Sequence, residues 1–84
     1  AFVVKKDVLA SDMVEAIYKT DRKLITEVSV FDVYEGENVG NDEKSIAFKL
    51  VFTSHDVLTE EVINNKITKV IKDLKYRFNA TLRS

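Results

Sequence analysis

The residue types that most often catalyse reactions or bind metals are scarce in this sequence. It contains no cysteine and one histidine, His55, so a Cys/His metal site cannot form. It has no Ser/His/Asp or Cys/His arrangement for nucleophilic catalysis and no glycine-rich phosphate loop. The sequence therefore predicts no catalytic residues and no metal site in this chain, and we assign no role to His55.

The most informative stretch is residues 28–52, which predicts a strand, a polar loop and a second strand. Both glycines of the sequence, Gly36 and Gly40, fall in the polar middle, as in a hairpin with a long connection. Because side chains alternate along a strand, the second strand has one fully apolar face and one mixed face. The apolar face carries Ile46, Phe48, Leu50 and Phe52. We expect other elements to cover it, and the mixed face to meet water or a polar partner.

The first strand of this hairpin contains a conflict in its alternation. Asp32 and Tyr34 share a side with the apolar residues Val28 and Val30 if the strand is regular. A bulge or a twist between the two pairs would resolve the conflict, because an extra residue reverses the alternation. The sequence predicts such a break without locating it.

Composition limits the class of protein. A chain of 84 residues with 45% apolar and 32% charged residues is expected to form one soluble domain, residues 1–84. No apolar run is long enough to cross a membrane. The net charge of −1 argues against holding nucleic acid by bulk electrostatics, and we expect no DNA partner. The sequence starts at Ala1, inside an apparent strand, so we expect a module of a larger chain.

Hydrophobic periodicity and turn residues predict four strands and two helices. The predicted strands cover residues 2–6, 24–34, 45–53 and 80–83. The first helix is predicted to start after an N-cap at Ser11 and to end near residue 20. The order β-α-β-β-α-β is the ferredoxin-like, split β-α-β arrangement of the α+β class. Right-handed crossovers then place both helices on one face of a four-stranded antiparallel sheet.

The second helix has the clearest signals at its ends. Thr59 is the predicted N-cap, and Glu60 and Glu61 follow it in the first turn, where the helix dipole favours acids. Asn79 follows the apolar stripe at the position where a left-handed residue commonly ends a helix. The stripe consists of Ile63, Ile67, Val70, Ile71, Leu74 and Phe78.

Two hairpin motifs resemble a known family. They are F-D-V-Y-E-G at residues 31–36 and K-S-I-A-F at residues 44–48. The similarity extends towards the end of the chain, where residues 77–83 read R-F-N-A-T-L-R. Together they resemble the ferredoxin-fold anticodon-binding domain, which lies at the C-terminal end of the bacterial phenylalanyl-tRNA synthetase β chain. The resemblance covers nearly the whole length, and the paired hairpin motifs are its most specific part.

The resemblance implies that the mixed sheet face and the hairpin bind the anticodon of phenylalanine tRNA. By residue-to-residue correspondence, Asp32, Tyr34 and Ser45 are the expected contacts, with Lys44 nearby. Unpaired anticodon bases can stack on a tyrosine ring and hydrogen-bond to an acid or a hydroxyl. Each residue also has an ordinary structural alternative: Tyr34 packing on the sheet, Asp32 capping the loop or pairing with Lys44, and Ser45 hydrogen-bonding to water.

The resemblance also implies a parent enzyme, an ATP-dependent aminoacyl-tRNA ligase of the cytoplasm. ATP, magnesium and phenylalanine would be bound by other domains and by the α subunit of a heterotetramer, so this domain itself would need no cofactor. An alternative from another class remains open at this point. The same fold also serves as a small-molecule regulatory domain or a subunit interface, because fold alone does not specify function.

Overall fold

The helices and strands follow the predicted order. The computed structural model describes residues 1–37, 39–54 and 57–83, and His55 lies outside these described residues. The elements are β1 (Phe2–Lys5), α1 (Ala10–Thr20), β2 (Ile25–Tyr34), β3 (Glu43–Phe52), α2 (Glu60–Phe78) and β4 (Thr81–Leu82). β3 starts at Glu43 rather than at Ser45, because Glu43 and Lys44 extend the ladder opposite Lys5 and Val4 of β1.

The strands form one antiparallel sheet in the order β2-β3-β1-β4. This order confirms the ferredoxin-like topology predicted from the sequence. β1 and β3 are central, whereas β2 and the two-residue strand β4 lie at the edges. The hairpin of β2 and β3 therefore forms one half of the sheet, with β2 as its edge strand.

The hydrophobic core lies between one face of the sheet and the two helices. Ile46 of β3 is fully buried there, together with Met13 and Ile17 of α1 and Leu74 of α2. Phe48 and Phe52 pack against this cluster but are only partly buried. The apolar face of β3 is thus covered as predicted, with Ile46 rather than a phenylalanine at its centre.

Part of the outer edge of β2 is occupied by a side chain of α1. The hydroxyl group of Tyr18 accepts a hydrogen bond from the Val28 N–H (3.1 Å) and donates one to the Thr26 carbonyl (3.4 Å). An edge strand normally leaves such backbone groups open to pairing with another chain. Tyr18 therefore blocks the first half of this edge.

An ion pair ties the connection after α1 to α2. The Lys66 Nζ lies 2.9 Å from an Asp21 carboxylate oxygen, and the other oxygen accepts hydrogen bonds from the Lys23 and Leu24 N–H groups. The hydrogen bond from Lys66 is the largest of the effects that hold the pKa of Asp21 below its usual range. Both side chains are mostly shielded from solvent.

The ends of α2 match the sequence prediction, and the start of α1 does not. The Thr59 hydroxyl accepts a hydrogen bond from the Val62 N–H (3.2 Å), and Asn79 ends the helix in the left-handed conformation at φ 54°. The prediction of Ser11 as an N-cap is wrong: Leu9 occupies the cap without a side-chain hydrogen bond, and Ser11 lies inside the first turn. Within the described residues, no helix is long and apolar enough to cross a membrane.

The caps lead to a stability prediction. Thr59→Ala is expected to lower the free energy of unfolding by about 1 kcal/mol, because it removes the acceptor for a helix N–H. Thr59→Ser keeps a hydroxyl acceptor and should retain most of this stability. Ser11→Ala is the matched control and should cost less, because Ser11 caps nothing. Urea denaturation measures both. Equal losses for the two alanine variants would contradict the assignment of Thr59 as the functional cap.

Candidate nucleic-acid interface

The sheet face opposite the helices carries a row of four side chains. Tyr34 of β2 lies opposite Ser45 of β3, Ser45 lies opposite Val3 of β1, and Val3 lies opposite Thr81 of β4. Residues paired across strands share a face of the sheet. The chain neighbours Val4 and Ile46 point the other way and are buried under the helices. The row therefore lies on the face that neither helix covers, which we call the open face.

A bulge at Phe31 brings Asp32 and Tyr34 onto the open face. Val30 pairs with Phe48, which packs against the core. Asp32, two residues later in β2, pairs with Ala47, which is directly adjacent to Phe48 in β3. Phe31 is the extra residue between them and has no cross-strand partner. The extra residue reverses the alternation. The break predicted between the two valines and the Asp32–Tyr34 pair is confirmed and now has a position.

The three predicted contact residues on the open face differ in accessibility. Tyr34 is 43% exposed and Asp32 is exposed, so both can meet a ligand without rearrangement. Ser45 is only 8% exposed, because it lies in the row between Tyr34 and Val3. A group that hydrogen-bonds to Ser45 must therefore approach closely, beside the tyrosine ring.

Lys44 does not share this face. It pairs with Val4, a buried residue of the helix-covered side, and it directly precedes Ser45 in the strand. Its side chain is partly exposed near the hairpin end of the sheet. The structure thus brings Asp32, Tyr34 and Ser45 together and leaves Lys44 on the opposite side. Among the ion pairs of the described residues, none joins Asp32 to Lys44, so that structural alternative is not realised.

The hairpin connection is attached to the end of β1 by two ion pairs. The Lys5 Nζ lies 2.6 Å from an Asp42 carboxylate oxygen, and the Lys6 Nζ lies 3.3 Å from a Glu35 oxygen. The Lys6 N–H also donates to the Asp42 carbonyl (2.9 Å). The hydrogen bond from Lys5 lowers the pKa of Asp42, and the same contact raises the pKa of Lys5. These contacts hold the loop beside the end of β2 that carries Tyr34.

Gly36 allows the loop to turn directly after the tyrosine. Its φ of 129° is a conformation that residues with a side chain rarely adopt. A Cβ atom at this position would lie 3.5 Å from the Tyr34 hydroxyl oxygen, in ordinary van der Waals contact. The backbone conformation therefore favours glycine at this position, whereas the space beside the tyrosine would admit a Cβ atom.

The charge of the hairpin is unusual for a nucleic-acid contact. Residues 24–43, which cover β2 and the loop, contain no lysine or arginine, and β3 adds two lysines, Lys44 and Lys49. The acidic residues of 24–43 are Glu27, Asp32, Glu35, Glu37, Asp42 and Glu43. Two of these acids are paired with Lys5 and Lys6. A surface of this sign cannot bind nucleic acid chiefly through phosphates. It suits stacking on base faces and hydrogen bonding to the donors on base edges.

Sequence reasoning missed three residues of this region. Val3 and Thr81 complete the row with Tyr34 and Ser45, but only the strand pairing reveals it. Phe31 is 77% exposed, and the sequence assigned it no role of its own. Among the described residues, no group of three or more His, Asp or Glu side chains is placed to hold a metal ion.

The comparisons with known proteins all indicate the same family. The family model described as "Ferredoxin-fold anticodon binding domain" matches residues 1–83. The phenylalanine–tRNA ligase β subunits of Pasteurella multocida and Bacillus subtilis are each 39% identical over 84 residues, covering 99% of this chain. That of Carboxydothermus hydrogenoformans is 38% identical over 85 residues, covering 100% of this chain. The chain spans only 10% to 11% of the length of these relatives.

Proposed function

This chain belongs to the ferredoxin-fold anticodon-binding domain family, and we propose that its open face recognises the anticodon of phenylalanine tRNA. The observation that carries the proposal is the joint placement of Asp32, Tyr34 and Ser45 on the uncovered sheet face. Anticodon bases are unpaired, so their faces and their Watson–Crick edges are both open to a protein. An uncovered sheet with an aromatic ring and polar groups offers contacts for each.

The three residues have complementary roles in this proposal. Tyr34 stacks on one base, a contact worth about 1–3 kcal/mol by alanine substitution. Asp32 accepts hydrogen bonds from base N–H donors, such as those on the Watson–Crick edge of guanine. Ser45 donates to or accepts from the edge of the base that stacks beside it. Lys44, on the other side of β3, is assigned a phosphate contact at the hairpin end.

The domain is proposed to be one part, residues 1–84, of a longer cytoplasmic aminoacyl-tRNA ligase chain. The relatives are about ten times longer and are named as ligase β subunits, which supports this context. In that enzyme, ATP, magnesium and phenylalanine would be bound by other domains and by the α subunit. This domain would position the tRNA and carry no catalytic residue of its own.

The alternative function, a small-molecule regulatory or subunit-interface domain, is not favoured. The family match and the relatives all concern anticodon binding or the tRNA ligase. The net charge of −1 does predict that the isolated domain binds RNA weakly, because few phosphates are neutralised. Methods that detect weak binding are therefore the appropriate ones.

An NMR titration tests the proposal. Adding the anticodon stem-loop of phenylalanine tRNA to the ¹⁵N-labelled chain is expected to shift the amide signals of Asp32, Tyr34 and Ser45. Signals of α2, on the opposite side of the sheet, should stay in place. The control RNA has the same stem closed by a loop that lacks the anticodon bases, and it should produce smaller shifts. Equal shifts with both RNAs, or shifts confined to the helices, would refute anticodon recognition by the open face.

A further inference from the structure

We propose that Phe31 is a second stacking platform for an unpaired base of the bound RNA. The inference rests on the proposed function and gives a role to Phe31, which opens the F-D-V-Y-E-G motif but was not among the expected contacts. It follows from three features of Phe31: its exposure, its position at the bulge and its separation along β2 from Tyr34.

The exposure of Phe31 is exceptional for its residue type in this chain. Phe2 is buried, and Phe48, Phe52 and Phe78 are partly buried against the core. Phe31 alone among the phenylalanines is exposed, at 77%. Leaving such a ring in water forgoes the free energy that burial would contribute, so a binding role gives this position a reason to be aromatic.

The bulge explains how the ring becomes available. Phe31 is the residue without a cross-strand partner, between Val30 and Asp32, on the outermost strand. In the part of the chain that the structure describes, no further strand lies beyond β2 to cover it. The bulge that turns Asp32 and Tyr34 onto the open face therefore also releases Phe31 from the sheet. All three residues are therefore exposed within four consecutive positions of β2.

The spacing suits two bases rather than one. Three residues along a strand correspond to about 10 Å, from a rise of about 3.3 Å per residue. This exceeds the separation of about 4.5–7 Å at which two aromatic rings stack on each other. Phe31 and Tyr34 are therefore placed to receive different bases. Because a phenylalanine ring cannot hydrogen-bond, its contribution is affinity that tolerates different bases, whereas Asp32 and Ser45 supply base selectivity.

A protein strand is a less suitable occupant of this surface than RNA. β2 is interrupted twice, between Ile25 and Glu27 and again at Phe31, and such bulges disrupt the regular ladder that an added strand needs. The Tyr18 hydroxyl already occupies backbone groups of Thr26 and Val28. Stacking on an isolated ring needs no continuous ladder.

Tryptophan fluorescence tests the contact directly. The chain contains no tryptophan, so Phe31→Trp introduces a single fluorophore at an exposed position. The hydrophobic core is formed by helices and strands of this chain, so the titration uses the 84-residue chain itself. Adding the anticodon stem-loop is expected to quench the emission, because a base stacks on the indole. Tyr76→Trp is the matched control on the outer surface of α2, where Tyr76 is 90% exposed, and its emission should not change.

Affinity measurements separate stacking from simple apolar contact. Phe31→Ala and Phe31→Leu are both expected to weaken stem-loop binding at least fivefold, on the order of one lost stacking contact. Phe31→Tyr, which keeps a ring, should bind as the wild type does. All three variants should fold, because the side chain is mostly in solvent.

The possible results distinguish this inference from the proposed function. If the wild-type chain does not bind the stem-loop, the proposed function fails, and the role of Phe31 fails with it. If Tyr34→Ala weakens binding while Phe31→Ala binds normally, only the second platform is overturned. The same holds if Phe31→Leu binds as the wild type does, which would indicate apolar contact without stacking.

Discussion

Replacing Tyr34 by alanine in the longer aminoacyl-tRNA ligase proposed above is expected to lower kcat/KM for tRNA aminoacylation and to leave phenylalanyl-adenylate formation intact. Loss of one base-stacking contact, about 1–3 kcal/mol, corresponds to a decrease of about 5- to 150-fold. Adenylate formation involves no tRNA, so the proposed role gives Tyr34 no part in it. Steady-state charging assays and pyrophosphate exchange measure the two activities separately.

Two further variants control the Tyr34 experiment. Tyr34→Phe keeps the ring and should retain most of the charging activity, because stacking needs no hydroxyl group. Tyr76→Ala removes an equally aromatic but remote side chain, 90% exposed on α2, and should change neither activity. A parallel fall of charging and adenylate formation in Tyr34→Ala would mean that the tyrosine supports structure rather than tRNA binding.

The second large effect is on stability. Ile46→Ala is expected to lower the free energy of unfolding by about 2–5 kcal/mol, because it removes a fully buried side chain at the centre of the core. A typical domain has only about 5–15 kcal/mol of stability, so this variant should unfold at much lower urea concentration. Urea denaturation followed by circular dichroism gives the midpoint and the slope.

The cross-strand partner of Ile46 provides a matched control. Val33 lies directly opposite Ile46 on the same face but is 49% exposed, because it belongs to the outer strand. Val33→Ala should therefore cost clearly less than Ile46→Ala. Similar losses for the two variants would show that the helices cover β2 as fully as β3, and the burial pattern described above would be incorrect.

Local patterns in the sequence were sufficient for much of the architecture. The alternation of large apolar residues along β3 predicted which of its faces the helices cover, and the two glycines predicted the loop. Thr59 and Asn79 predicted the ends of α2, because capping depends on residues close in sequence. The same reasoning failed at Ser11, since a good capping residue can equally occupy the first turn of a helix.

The amino-acid sequence by itself determined the order of the elements, the apolar face of β3 and the family to which the hairpin motifs belong. Tertiary structure alone decided the position of the bulge at Phe31, the burial of Ser45 and the placement of Lys44 on the opposite side of β3. The physical reason is that hydrophobic period and caps are local properties, whereas register is set by pairing between strands far apart in sequence. A shift of one residue in that pairing changes the face on which a side chain lies.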